Sequence, residues 1–162
     1  MKERIDYQKA SPEALKGMLE LEKYLANSGL ERPLYELVKL RASQLNGCAY
    51  CIDMHTKDAR KAGESEQRLY TLTAWRETPF YTDRERAAMA WTEALTLISE
   101  NKVSDTLYDS VREFFDEKEL VALTMAIIVI NGWNRLAISL RAVPGSYKSR
   151  EFSVSNEHLA YK

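Results

Sequence analysis

Two cysteines and a histidine stand within one short segment, Asn46-Gly47-Cys48-Ala49-Tyr50-Cys51-Ile52-Asp53-Met54-His55. On a helix turning about 100° per residue, Cys48, Cys51 and His55 fall within about 60° of one another. His55 lies four residues after Cys51, one turn along, where an imidazole reaches a thiol. Ile52, Ala59 and Ala62 share that face, while Asp53, Lys57, Arg60 and Lys61 lie largely opposite, so the dithiol is expected to face a semi-buried pocket. A thiol pair at a helix start sits beside unpaired backbone N–H groups and the positive end of the helix dipole, which favour the thiolate. A histidine one turn away takes the proton and later returns it. The spacing also lets the two sulfurs close into a disulfide, giving a two-electron cycle in which one thiolate attacks an oxidant and the other resolves the intermediate.

Two other readings compete. Free cysteines are often inert core residues. A metal site would use Cys48, Cys51, His55 and a carboxylate such as Glu36, but structural zinc sites more often draw ligand pairs from two separate elements. Redox chemistry is therefore the leading reading, with no metal and no cofactor expected. Dipole reasoning favours Cys48 as the attacking thiol; proximity to His55 favours Cys51.

Proline and glycine are scarce and helix-start signals recur. Ser11-Pro12 predicts a helix to about Asn27, with Gly29 beyond it. A second helix spans Leu34–Asn46, its apolar stripe including the stem of Arg41, for which a buried ion pair or a snorkelling stem is favoured over substrate binding. Gly47 separates it from the dithiol helix, which runs from about Cys48 to Ala62 and ends at Gly63. Ser65 caps the next, through Trp75; Thr82 and Glu85 form a capping box for a helix to about Ser99. Ser104 opens a helix to Phe115, and Asp116 with Glu119 opens the last, to Leu140. No strand-like alternation interrupts this, and the expectation is an all-α bundle of about seven helices in one domain, residues 1–145, with a polar tail over 146–162. Trp75, Trp91 and Trp133 are expected as core or interface anchors, Asn131, Asn134 and Arg135 at an interface or pocket, and His158 as a bland tail residue.

The chain has 162 residues, 45% hydrophobic and 29% charged, with a net charge of −1, so no bulk field attracts nucleic acid or an anionic membrane. Met1–Lys9 is polar, without a signal peptide, and with two closely spaced cysteines the expected location is the cytoplasm. The longest apolar run, Leu120–Ile130, is broken only by Thr124 and is about half a membrane span. Apolar on every side, it belongs at the centre of the bundle or against another subunit.

Glu36-x11-Cys48-x2-Cys51-x3-His55 resembles the signature of the alkylhydroperoxidase D-like core, within the carboxymuconolactone decarboxylase superfamily. The segment Glu36–Cys48 is similar to that family's helix leading into the dithiol, and Ala74–Pro79 and Arg84–Ala88 look like its uncharacterised members; the similarity covers roughly residues 13–143. The resemblance implies a thiol-dependent peroxidase or thiol–disulfide oxidoreductase. Cys51 would attack a peroxide and pass through a sulfenic acid, Cys48 would resolve it or supply a proton, and His55 would relay protons with Glu36 behind it through a water. Without the resemblance, Glu36, with helical neighbours Lys39, Leu40 and Ser43, reads as a half-exposed salt-bridged residue. Where the better-known peroxidases carry a second histidine between the cysteines, this chain has Tyr50. The resemblance also implies an external lipoyl- or thioredoxin-type dithiol as reductant and a homo-oligomer, trimer or hexamer. The alternatives are a non-catalytic oligomeric redox-sensing or metal-binding helical module, and the superfamily's decarboxylase or lactone chemistry, which does not require two cysteines.

Overall fold

The computed structural model describes residues 1–149. It contains α1 (Tyr7–Ala10), α2 (Pro12–Ala26), α3 (Arg32–Asn46), α4 (Ala49–Lys61), α5 (Glu66–Thr71), α6 (Asp83–Thr96), α7 (Asp105–Arg112) and α8 (Glu117–Leu140), with a 3-10 segment over Leu72–Glu77. No strand occurs among the described residues. These are the seven helices read from the sequence plus the four-residue α1. The predicted helix from Ser65 to Trp75 is shorter as an α-helix. It ends at Thr71 and tightens into the 3-10 segment, where Ala74 leaves helical geometry (φ −116°, ψ 30°) and the Trp75 ring turns into the core.

Local chemistry sets most boundaries. Capping boxes form at Thr82/Glu85 and Asp116/Glu119, and the Ser65 and Ser104 side chains accept from the backbone three residues on. Ser11 does not cap α2 through its side chain; its backbone N–H instead closes α1 on the Tyr7 carbonyl.

α3 is the hub, packing against α4, α6 and α8. The larger core cluster joins α2, α3, α6, α7 and α8, and the second joins α3, α4, α5, the 3-10 segment and α6. α8 buries Leu123, Ala126, Ile127 and Ile130 at helical spacing. Each such leucine or isoleucine contributes about 1.5–3 kcal/mol. By length and composition α8 would meet the criterion for a membrane span, but half of its apolar window is buried in the bundle, against α2, α3, α4 and α6. Its outer side exposes Val121, Ile128 and Ile138.

Of the tail expected from residue 146, only residues to 149 are described. They run along α4, where the Gly145 N–H donates to Asp53, the Lys57 ammonium to the Tyr147 carbonyl and the Lys61 ammonium to the Ser149 carbonyl. His158 lies outside the described residues.

Candidate active site

α3 hands the chain to α4 through one tight turn closed by backbone hydrogen bonds. Gly47 adopts φ +69°, the left-handed conformation that ends helices and suits glycine. Its N–H donates to the Gln44 carbonyl, and the Cys48 N–H reaches back to the Ser43 carbonyl at 2.9 Å. Together these bonds form a Schellman closure, so the residue that completes α3 is itself the cap of α4. The Cys48 sulfur accepts from the Cys51 N–H at 3.3 Å, the position where the helix dipole favours negative charge on sulfur. Cys48 and Cys51 are joined as a disulfide, their Cα atoms 5.3 Å apart. Each is 1% exposed, packed with Ala137, Tyr50 and Ala142. The expected inward face is present and is more deeply covered than a semi-buried pocket.

One turn on, His55 is 2% exposed and its Nδ1 pairs with Glu36 Oε2 at 2.9 Å. Its other ring nitrogen, Nε2, is buried without a hydrogen-bond partner. The expectation of a half-exposed Glu36, drawn from its helical neighbours, is corrected: it is 2% exposed. What compensates its burial comes from Arg32 one turn back on α3, at 2.7 Å from Oε1, and from His55 on the next helix. Burial by itself raises a carboxyl's pKa. The hydrogen bond from His55 and the charges of Lys39 and Arg32 outweigh it and lower Glu36 from 4.5 to about 2.

A second, part-buried pair involves Lys39 of the same helix. Lys39 on α3 meets Glu22 of α2 at 3.1 Å, and Glu22 also accepts from the Tyr35 hydroxyl (2.5 Å) and Trp133 Nε1 (2.9 Å). Burial works against its charge, yet Lys39 and the Tyr35 hydroxyl hold its pKa below the usual carboxylate value. The pKa of Tyr50, which stands between the two cysteines, is driven upward by burial and by the Asp53 and Glu3 charges, so it stays a neutral phenol.

Two residues that the sequence reading did not single out complete the cluster. Asp58 is 6% exposed, and donor or acceptor atoms of Glu36, His55 and Asp58 all lie within 4.8 Å of one another. Its position three residues past His55 and seven past Cys51, on the same helix face, was the available signal. Tyr147 donates to both Asp58 oxygens at 3.0 and 2.9 Å, and no local pattern announces it. Among the described residues, these three groups lie close enough together that a cation could fit between them. The two carboxylates are already occupied, Glu36 by Arg32 and His55 and Asp58 by the Tyr147 hydroxyl, so the cluster is read as a hydrogen-bonded one. A recess of about 260 Å³ bounded by Pro33, Ala59, Gly63 and Arg68 reaches Glu36, and the sulfurs do not line it.

The remaining candidates are structural. Arg41 forms a part-buried ion pair with Glu93 at 2.7 Å, and Trp75 Nε1 donates to the same carboxylate. Asn131 and Asn134 join α8 to α3: both accept from Asn46, and Asn134 also donates to Ser43. Arg135 folds back on Asn131.

The model of the carboxymuconolactone decarboxylase family matches residues 12–94. The chain is 49% identical over 140 residues to the uncharacterized protein YdfG of Bacillus subtilis, spanning 86% of this chain and 95% of that one. A solved structure from Agrobacterium tumefaciens, of unknown function and proposed to be the antioxidant defence protein AhpD, superposes with a TM-score of 0.87 at 46% identity, covering 90% of this chain and 100% of its own. The alkyl hydroperoxide reductase AhpD of Coxiella burnetii is 40% identical over 45 residues, 28% of this chain and 25% of that protein.

Proposed function

This chain belongs to the carboxymuconolactone decarboxylase family, with the all-α fold of its AhpD-like members, and from that premise we propose that it reduces hydroperoxides by cycling Cys48 and Cys51 between dithiol and disulfide. The observation that carries the reading is the buried Cys48–Cys51 disulfide one turn from a histidine whose Nδ1 is fixed by Glu36 and whose Nε2 is left without a partner.

In the reduced protein Cys51 gives its proton to His55 Nε2. The thiolate attacks a peroxide oxygen: an S–O bond forms, the O–O bond breaks, and the leaving alkoxide takes the proton back from His55. Cys48 then attacks the sulfenic sulfur, the S–S bond forms and water leaves. Two electrons pass from the dithiol to the peroxide. An external dithiol of lipoyl or thioredoxin type restores the thiols by exchange, and the cytoplasm supplies such reductants. Glu36, acting on Nδ1, fixes the tautomer that leaves Nε2 free to accept. The exposed Val121, Ile128 and Ile138 of α8 favour a homo-oligomer, trimer or hexamer, which light scattering measures.

The test is mass spectrometry of the reduced protein before and after one equivalent of organic hydroperoxide, with peptide mapping. Rapid formation of a Cys48–Cys51 disulfide is expected. Cys51→Ser abolishes turnover, while Cys48→Ser accumulates a sulfenic acid or a mixed disulfide at Cys51. Full turnover by Cys51→Ser would sink the assignment.

A further inference from the structure

We propose that Asp58, held by Tyr147, is a positioning residue for the thiol–imidazole pair: it supplies the uncompensated negative charge that holds His55 as imidazolium after Cys51 gives up its proton. The proposal rests on the relay described above and assigns it a third member.

Asp58 differs from the other buried carboxylates of this region in what it lacks. Glu36 has Arg32 and Glu22 has Lys39, so each of these pairs is close to neutral before His55 changes state. Among the described residues no lysine or arginine pairs with Asp58. The cations flanking it on α4 are turned elsewhere, Lys57 to Asp53 and the Tyr147 carbonyl, Lys61 to the Ser149 carbonyl. The hydrogen bonds on its carboxylate come from one neutral phenol. A buried carboxylate with a donor but no counter-charge is costly, and a cation forming nearby relieves that cost.

The groups around His55 leave one such cation. From α3 it meets Glu36, with Arg32 and Lys39 beyond; from α2, Glu22; from its own helix, Asp58 and Cys51; from the C-terminal segment, Tyr147 against Asp58. When the Cys51 S–H bond breaks and an N–H bond forms at Nε2, positive charge appears within the 4.8 Å cluster that contains Asp58. The new thiolate is seven residues away along the helix, about 10 Å at 1.5 Å per residue. Attraction to the imidazolium at the shorter distance therefore exceeds repulsion of the thiolate at the longer one. Tyr147 fixes the carboxylate in place by donating to both of its oxygens, which makes residues 145–149 part of the site.

The test reads the thiol without peroxide, so it fails independently of the proposed activity. Reduced full-length protein is alkylated with iodoacetamide from pH 5 to 9, and the Cys51 peptide is followed by mass spectrometry. Asp58→Asn is expected to raise the half-point of the pH profile by about 1 unit, close to tenfold slower alkylation on the rising limb, and Asp58→Glu to restore it. A merely structural Asp58 would not move the profile in this charge-dependent way. Tyr147→Phe keeps the charge and removes the donor, so it shifts the profile in the same direction by a smaller amount; it decides the matter should Asp58→Asn not fold. A His55→Ala shift alongside wild-type profiles for Asp58→Asn and Tyr147→Phe overturns the proposal alone. No shift in His55→Ala overturns the relay and the proposal together.

Discussion

Replacing Glu36 by glutamine keeps the shape of the side chain and removes its charge, so the variant stands in for a permanently protonated Glu36. The structure sets the size of the effect. The carboxyl is 2% exposed, and its pKa falls from 4.5 to about 2 on folding. At about 1.36 kcal/mol per pH unit, that fall corresponds to about 3 kcal/mol of folding free energy at pH 7. Because the folded pKa is depressed, the contribution is complete above 4.5 and disappears as pH falls through 2. At pH 3 less than half of it should remain. The assay is urea denaturation of oxidised wild-type and Glu36→Gln proteins at pH 7, 5 and 3, at one protein concentration. The expected outcome is a gap of about 3 kcal/mol at pH 7 and 5 that falls to less than half by pH 3. A gap below about 1 kcal/mol at pH 7, or one that does not change with pH, would refute the claim that Arg32 and His55 more than offset the burial of this charge.

Three further perturbations test the scaffold around the site. Asn134→Leu removes the acceptor for Asn46 and the donor to Ser43, both in the α3–α8 seam; urea midpoints should report a loss of about 2–3 kcal/mol, and a loss under about 0.5 would mean the amide network holds nothing. Gly47→Ala meets no atoms within 4 Å but is forced to φ +69°; it should cost about 1 kcal/mol, a fall of about 2–4 °C in Tm, and an unchanged Tm would contradict the strain. Lys39→Met strands the buried Glu22 carboxylate and should cost about 3–5 kcal/mol at pH 7, whereas Lys39→Met with Glu22→Gln should cost clearly less; equal losses would show that pairing is not what Lys39 provides.

What the sequence revealed was whatever is decided within a turn or two of chain. The capping boxes at Thr82/Glu85 and Asp116/Glu119 form because both partners are three residues apart, and the inward face of Cys48, Cys51 and His55 follows from helical spacing alone. Ser11 shows the limit of a local rule: a serine before a proline has a cap's signature, but α1 ends on that same residue and its side chain makes no cap bond. The 3-10 break after Thr71 is a tertiary outcome, since Trp75 reaches Glu93 on α6 and packs in the core. Glu36 reads as half-exposed from its neighbours because the groups that permit its burial are a base on the next helix and an arginine one turn back. Tyr147 is beyond any such reading, since it meets Asp58 across 89 positions.

The charges show why these non-local partners matter for chemistry. Burial costs an ion several kcal/mol unless something opposite in sign comes with it. α3 brings its own counter-charges, Arg32 for Glu36 and Lys39 for Glu22, so the ion pairs on this wall of the site are close to neutral. α4 places one sulfur at a helix N-terminus and adds a histidine bonded through Nδ1 only. On that helix, among the buried groups, Asp58 alone carries negative charge without a cationic partner. A wall already balanced resists further change, whereas a face with one spare negative charge favours the state in which a proton has moved from sulfur to imidazole. On the proposal for Asp58, this asymmetry between α3 and α4 would bias the reduced dithiol toward the ionised pair.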